Sequence, residues 1–311
     1  MQVCQKTLTF GEFAEQWLDS RKGTVKDNTY NISYEIVVHK HLLPVFGSRE
    51  LKSITVFELQ DFVNGKAKSL ANETVKKIRG RLEGIFNSAL VQRLIPVNPM
   101  VGLCRASGAE TGRKRIYNAE QTELIKSFAE THRFGLGVIL LLETGIRRGE
   151  LLGLQWGDID FQDGYIQIRR AAADVVNPET RKKEVILDKP KTKFSEREIP
   201  ISTDLVSLLT RKHGVFGKNE NASEFIVKNS KGGVCSPNTW SKTHYHKFMQ
   251  EMRAYYLEQN VSIPILNPHE CRHTKASLWV NGGKPLYAVA KIMGHADVKM
   301  FVKTYAKSTP N

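Results

Sequence analysis

The feature that constrains this chain most is a break a third of the way along it. After Pro96 and Pro99 the sequence passes into "CRASGAETGRKR", small and polar and then basic, with no apolar spacing. A segment that has nothing to bury reads as a linker. At 311 residues the chain also exceeds the usual size of one compact core, so two domains are expected. Their predicted bounds are 1–106 and 116–311, joined by 107–115.

The first part reads as helical. Thr9 and Glu12 form a capping box, and Phe10, Phe13, Ala14, Trp17 and Leu18 follow at helical spacing. Tyr30, Tyr34 and Val37 suggest a second helix stopped near Pro44. In "NETVKKIRGRLEGIFNSALVQR", Val75, Ile78, Leu82, Ile85, Phe86 and Ala89 make one stripe, while Lys76, Lys77, Arg79 and Arg81 fall mostly off it. That pattern predicts a helix docked on a core with cations turned outward, either as a solvated face or toward a polyanion.

Beyond the break, "NAEQTELIKSFA" starts a helix and "FGLGVILLLETG" reads as a buried one ending at Gly145. The segments "YIQIRR", "EVILDKPKTK" and "REIPIS" are short and alternating, which predicts one small antiparallel sheet with a turn near Lys191. From Asn238 the signals return to helix. The fold class expected is therefore mainly α with a small antiparallel β-sheet, α+β.

The net charge of +14 favours a polyanionic partner through counterion release. Residues 1–110 carry 15 basic and 11 acidic side chains, and residues 111–311 carry 31 and 21. No apolar run approaches the ~20 residues of a membrane span, and "MQVCQKTLTF" lacks the order of a secretory signal. A cytoplasmic, nucleoid-associated location is expected, with no membrane partner. Four scattered Cys, with no CxxC pair, argue against a zinc ribbon or a disulfide framework.

Several polar clusters could carry chemistry, and each alone has a bland alternative. In "TGIRRGELLGLQW", Arg147 and Glu150 stand at i and i+3, so the carboxylate could hold the guanidinium or the two could form a surface pair. "PHECRHT" satisfies H-E-x-x-H, in which His269 and His273 would bind zinc and Glu270 act as base. Against zinc, Asn267 and Pro268 look like a cap and first helical residue, Arg272 shares a face with His269, and no acidic third ligand follows before Gly282. A His and an Arg at a helix N-terminus instead suit a phosphate. Lys191 lies among Lys189 and Lys193 in "KPKTKFSEREIPI", and His295 follows Gly294 after an apolar helix. Tyr305 stands ten residues after His295, with six residues behind it.

Taken in order and spacing, the Arg of "TGIRRGELLGLQW", the Lys of "KTKFSEREIPI", the His and Arg of "HECRH", the His of "MGHAD" and the Tyr ten residues on resemble the tyrosine recombinase (phage integrase) family. The likeness covers residues 115–305, and the preceding hundred resemble that family's helical core-site-binding domain. Among its members the chain is similar to integrases of phages and conjugative transposons of Gram-positive bacteria.

The resemblance implies site-specific recombination, integration or excision of a mobile element, through a 3′-phosphotyrosyl intermediate. Arg147 and Arg272 would clamp the scissile phosphate, with Glu150 supporting Arg147. Lys191 would be the general acid, His269 and His295 would hydrogen-bond the phosphate or manage protons, and Tyr305 would be the nucleophile. The partners implied are double-stranded DNA attachment sites, a homotetramer on two paired sites, and an accessory excision or DNA-bending protein. No metal and no other cofactor are expected. Phosphate contacts are expected of Lys76, Lys77, Arg79 and Arg81.

Three departures stand out. Phe301 and Cys271 replace the Thr and Leu usual in the family, as packing changes. Many relatives carry an arm-binding domain of about 60 residues that nothing before Thr9 can form. Six residues after Tyr305 are few for the tail that relatives pack on a neighbour. Two other readings share parts of this pattern: topoisomerase-like relaxation, with the same strand chemistry, and an inactive DNA-binding remnant.

Overall fold

The computed structural model describes residues 7–25, 29–103, 115–177, 180, 182–188, 196–216, 222–295, 298 and 301–302. The chain divides into two compact units, Met1–Arg113 and Lys114–Asn311. Of the expected linker, 107–115, only Arg115 falls among the described residues.

The first unit is helical. α1 (Phe10–Arg21) opens with the predicted capping box: Glu12 N–H donates to Thr9 Oγ1 at 3.2 Å, and Thr9 N–H donates to Glu12 Oε2 at 3.0 Å. α2 (Val56–Ser69) repeats the device with Thr55 and Glu58. α3 (Asn72–Val91) buries the predicted stripe from Val75 to Ala89. Its Ile85 and Phe86 join Phe10, Phe13 and Trp17 of α1 in one core, with Phe10 and Phe86 rings 5.8 Å apart. Between α1 and α2 the sequence predicts a helix stopped near Pro44, and the helical run ends two residues later, at Phe46. Residues 29–46 wind on through π-type turns at Tyr30–Glu35 and Val38–Leu42 into an α-turn, Leu43–Phe46. Pro44 sits in the first turn of that last piece, where no intrahelical N–H donor is needed.

The second unit is built around α5 (Gly135–Thr144), which follows α4 (Ala119–Thr131) and precedes the short α6 (Arg148–Gly153). α5 is apolar around nearly its whole circumference, Glu143 near its end excepted, and almost wholly buried, so it takes the centre of the core. The strands β1 (Ile159–Asp160), β2 (Tyr165–Ile168), β3 (Ala171–Val176), β4 (Lys183–Asp188) and β5 (Arg197–Pro200) come next. After them run α7 (Thr203–Phe216), α8 (His246–Leu257), α9 (Pro268–Asn281) and α10 (Leu286–Ile292).

The strands correct the single-sheet expectation. β1, β2 and β5 form one antiparallel sheet in that order, and β3 pairs with β4 as a separate ribbon. Burial explains the split: Ile166 pairs with Ile199 and both are fully buried, whereas most of the β3–β4 ribbon is half-buried or exposed. β4 and β5 therefore lie in different sheets. Lys191, between them in sequence, lies outside the described residues. Among those residues, no helix is long and apolar enough to cross a membrane.

Candidate active site

α5 ends where a left-handed residue lets the chain turn sharply. Gly145 has φ +63° and donates its N–H to Leu141 O at 3.0 Å. Ile146 is buried in the turn, and Arg147 then occupies the N-cap position of α6. Three residues on, Glu150 reaches back: its Oε2 accepts the Arg147 N–H at 2.8 Å and its Oε1 accepts Arg147 Nη1 at 2.7 Å. The spacing seen in the sequence thus becomes a two-point hold.

α9 delivers the second arginine. Asn267 caps it, its Oδ1 accepting the N–H groups of His269 and Glu270, which leaves His269 exposed in the first turn. Arg272, one turn deeper, is only 2% exposed. A guanidinium so buried requires acceptors, and it finds two carbonyls: Gly145 O at 2.8 Å and Met293 O.

The second of these, Met293 O, belongs to a platform of carbonyls at the C-terminal end of α10. Ile292 O accepts Arg197 Nε at 2.6 Å, Met293 O accepts Arg272 Nη2, and Gly294 O accepts Arg147 Nη2 at 2.7 Å. Three consecutive carbonyls thus hold three arginines that come from β5, α9 and the start of α6. The negative end of a helix is the favourable place for such a group. Gly294, at φ +67°, makes the platform possible, because a Cβ there would lie 3.0 Å from Arg197 Nη1.

Arg197 was not singled out by the sequence reading. It donates Nη1 and Nη2 to Glu150 Oε1 and Oε2 at 3.1 and 2.8 Å, a bidentate fork between groups 6% and 4% exposed. The signal was present in "REIPI": Arg197 and Ile199 share one face of β5, and Ile199 is fully buried. A cation on an inward face demands a buried anion.

The electrostatics follow. Burial alone would raise the Glu150 carboxyl, but the hydrogen bonds and charge of Arg197, then those of Arg147, outweigh it and pull it down to about 2. His295 is pushed the other way from a charged state. Burial first, then Arg272, Arg147, Arg197 and His269, lower its imidazole to about 4, so it is neutral at physiological pH. Its Nδ1 is buried without a hydrogen-bond partner among the described residues, and its ring lies 5.0 Å from that of Phe301. Among the described residues, three guanidiniums gather at this turn, and Arg147, with 38% of its side chain exposed, brings positive charge to the surface. The arrangement suits a bound oxyanion.

The H-E-x-x-H letters take other roles. Glu270 accepts the Asn267 N–H at 2.7 Å and pairs with Arg115, while the His269 and His273 rings stand edge to face at 4.7 Å. Among the described residues, no group of three His, Cys, Asp or Glu is placed to hold a metal. Cys271 is fully buried with its thiol 3.1 Å from the Tyr245 hydroxyl, and burial pushes it up to about 12. Lys191 and Tyr305 lie outside the described residues; Arg147, Glu150, Arg272 and His295 are the predicted residues seen to converge, with exposed His269 near enough for its charge to act on His295.

The cations predicted on α3 are placed differently. Lys76 pairs with Glu73 at 2.7 Å, and Lys77 is exposed. Arg79 is half-buried. Arg81 donates to Ser33 O at 2.8 Å and lies 3.7 Å over the Tyr34 ring.

The chain is similar to known proteins along most of its length. The profile of the Phage integrase family matches residues 114–311, and that of the phage integrase N-terminal SAM-like domain matches residues 9–67. The chain is 26% identical over 278 residues to a tyrosine recombinase XerC-like protein of Caldanaerobacter subterraneus subsp. tengcongensis, covering 84% of this chain and 68% of that one. It is 23% identical over 308 residues to the ICEBs1 integrase of Bacillus subtilis, covering 98% and 81%. To the transposase from transposon Tn916 of Enterococcus faecalis it is 26% identical over 277 residues, covering 85% and 65%. In fold it is similar to the Tn1549 transposon integrase solved with a circular intermediate DNA, with a TM-score of 0.76 at 21% identity over 94% of each chain. A lambda integrase tetramer on a Holliday junction gives a TM-score of 0.67 at 20% identity, over 99% of this chain and 80% of that one.

Proposed function

The chain belongs to the phage integrase family, and on that premise we propose that it is a site-specific DNA recombinase whose strand chemistry runs through Tyr305. The observation that carries the reading is the set of three arginines on consecutive carbonyls at the end of α10, with Glu150 pairing two of them. An attack on a phosphodiester spreads negative charge over the non-bridging oxygens, and fixed guanidiniums are suited to meet it.

In the proposed step the Tyr305 phenol gives its proton to neutral His295 or to solvent water, and its oxygen bonds to the scissile phosphorus. The bond from phosphorus to the 5′-oxygen breaks, and Lys191 supplies the proton that the leaving oxygen takes up. Arg147 and Arg272 hold the phosphate throughout, and His295, being neutral, donates or accepts a hydrogen bond without adding charge. A free phenol titrates near pH ~10, so the cations around it also have to favour the phenolate. Reversal by a different 5′-hydroxyl rejoins the strands, and the phosphotyrosyl bond conserves the energy needed.

Recombination further requires two sites held together, which we assign to a homotetramer on paired DNA sites, in keeping with the tetrameric arrangement of lambda integrase on a Holliday junction. An accessory bending protein would set the direction. Similarity to integrases along nearly the whole chain favours this reading over simple relaxation or an inactive remnant. The experiment is a pool of nicked duplexes tiling the DNA on either side of the gene, incubated with the full chain and resolved on a denaturing gel. One duplex should yield a slow covalent adduct, in EDTA as well as without it. Tyr305→Phe should yield none, and an adduct that persists in Tyr305→Phe would remove Tyr305 from the role.

A further inference from the structure

Among the described residues, Arg147 has two partners at its head group, Glu150 Oε1 and Gly294 O. Arg197 reaches the same carboxylate and the same turn. Its fork takes the two oxygens of Glu150, its Nε takes Ile292 O, and its head packs closely on Gly294, where a Cβ would lie 3.0 Å from Nη1. Arg197 is itself almost completely buried, so the exposed member of the pair of arginines around Glu150 is Arg147.

We propose that Arg197 is a positioning residue of this site: it fixes Glu150 and the 292–294 turn together, and so sets where Arg147 presents its charge. The proposal rests on the phosphate-site reading above. The physical reason is a competition. Glu150 is buried and needs compensation from cations. With Arg197 in place that demand is met by a buried fork, and Arg147 gives Glu150 a single Nη contact. Without Arg197 the carboxylate has Arg147 alone, draws it inward and cancels its charge. Neutralising Glu150 in the same chain should release Arg147 again.

The double variant therefore separates positioning from mere structural support. On the duplex that the wild type attacks, Arg197→Met should slow adduct formation about 10–100-fold, as removal of the partners that orient metal ligands does elsewhere. Adding Glu150→Gln to Arg197→Met should recover more than half of that loss on a logarithmic scale. Should Arg197→Met fail to fold, Arg197→Lys keeps the charge but cannot bridge Glu150 and Ile292 O at once, and it should still be severalfold slow. A titration of inorganic phosphate into each full-length chain gives a readout independent of DNA, with affinity in the order wild type, double variant, Arg197→Met. If wild type attacks no duplex while that order holds, the recombinase reading fails and the positioning role stands. Wild-type rates in Arg197→Lys, or a folded Arg197→Met that Glu150→Gln does not recover in either assay, would overturn the proposal.

Discussion

The two units hold their cations in opposite ways. On α3 the basic side chains sit at a helix surface, where Lys76 meets a neighbouring carboxylate and Arg81 folds onto Tyr34. Around α10 the guanidiniums are fastened to main-chain carbonyls and to one buried carboxylate. An exposed ion pair is worth ~0–1 kcal/mol, so a surface array acts by number, without any one member being decisive. A cation fixed in a dry site keeps its field where charge develops, and there each member counts. On the function proposed above, the contrast would give affinity for a polyanion to the surface cations and bond chemistry to the fastened group.

The largest effect that could break this contrast is at the platform. Arg147→Ala should lower adduct formation at least ~10²–10³-fold, the usual cost of one lost transition-state donor, with DNA binding nearly unchanged. Arg272→Ala should cost as much and also lower the melting temperature, because Gly145 and Met293 lose a buried donor. Comparable losses of binding and of chemistry in Arg147→Ala would erase the distinction between the two regions.

Next comes Gly294→Ala. A left-handed backbone costs a non-glycine residue ~1–2 kcal/mol, and the new Cβ would press on Arg197. A roughly tenfold loss of adduct rate is expected, of the size reserved for displaced positioning groups, and equal rates would show that the turn tolerates the shift.

The buried histidine and carboxylate predict how stability depends on pH, with windows that meet. Unfolded, His295 takes a proton near 6.5, whereas folded it resists until about 4. Stability should therefore be full above 6.5 and be lost as pH falls toward 4. Glu150, ordinarily near 4.5 and here about 2, adds a second loss between those values. Denaturant melts of His295→Gln should flatten the upper window only.

The smallest effects belong to α3. Lys77→Ala should leave the melting temperature unchanged and make the slope of log affinity against log salt shallower by about 0.9, if the side chain neutralises one phosphate. Arg81→Ala should cost ~1–2 kcal/mol of stability, from a hydrogen bond and a cation–π contact, whatever it does to DNA. An unchanged salt slope in Lys77→Ala would take this part of α3 out of the interface.

Much of the site was legible because its side chains are named by spacing. Arg147 and Glu150 are a helical turn apart, and Asn267, Pro268 and Glu270 announce the helix that carries Arg272. Arg197 is not legible in the sequence because its partner lies 47 residues away and β5 belongs to a different sheet from β4. The run Ala171–Val176, too small and apolar to alternate clearly, pairs with β4 and leaves β5 to close on β2. The acceptors escaped for a deeper reason. Carbonyls of Ile292, Met293 and Gly294 carry no side-chain signature, and only folding brings them under three arginines.

The central claim is that the oxyanion site of this chain is the arginine group on α10. A crystal of the full chain soaked in tungstate, with the metal located by its anomalous scattering, tests it most directly. The account predicts the strongest peak within hydrogen-bonding reach of Arg147 and Arg272 and beside His295, and its loss in Arg147→Ala. No peak there, with tungstate gathered instead along Lys76, Lys77 and Arg79 of α3, would contradict it.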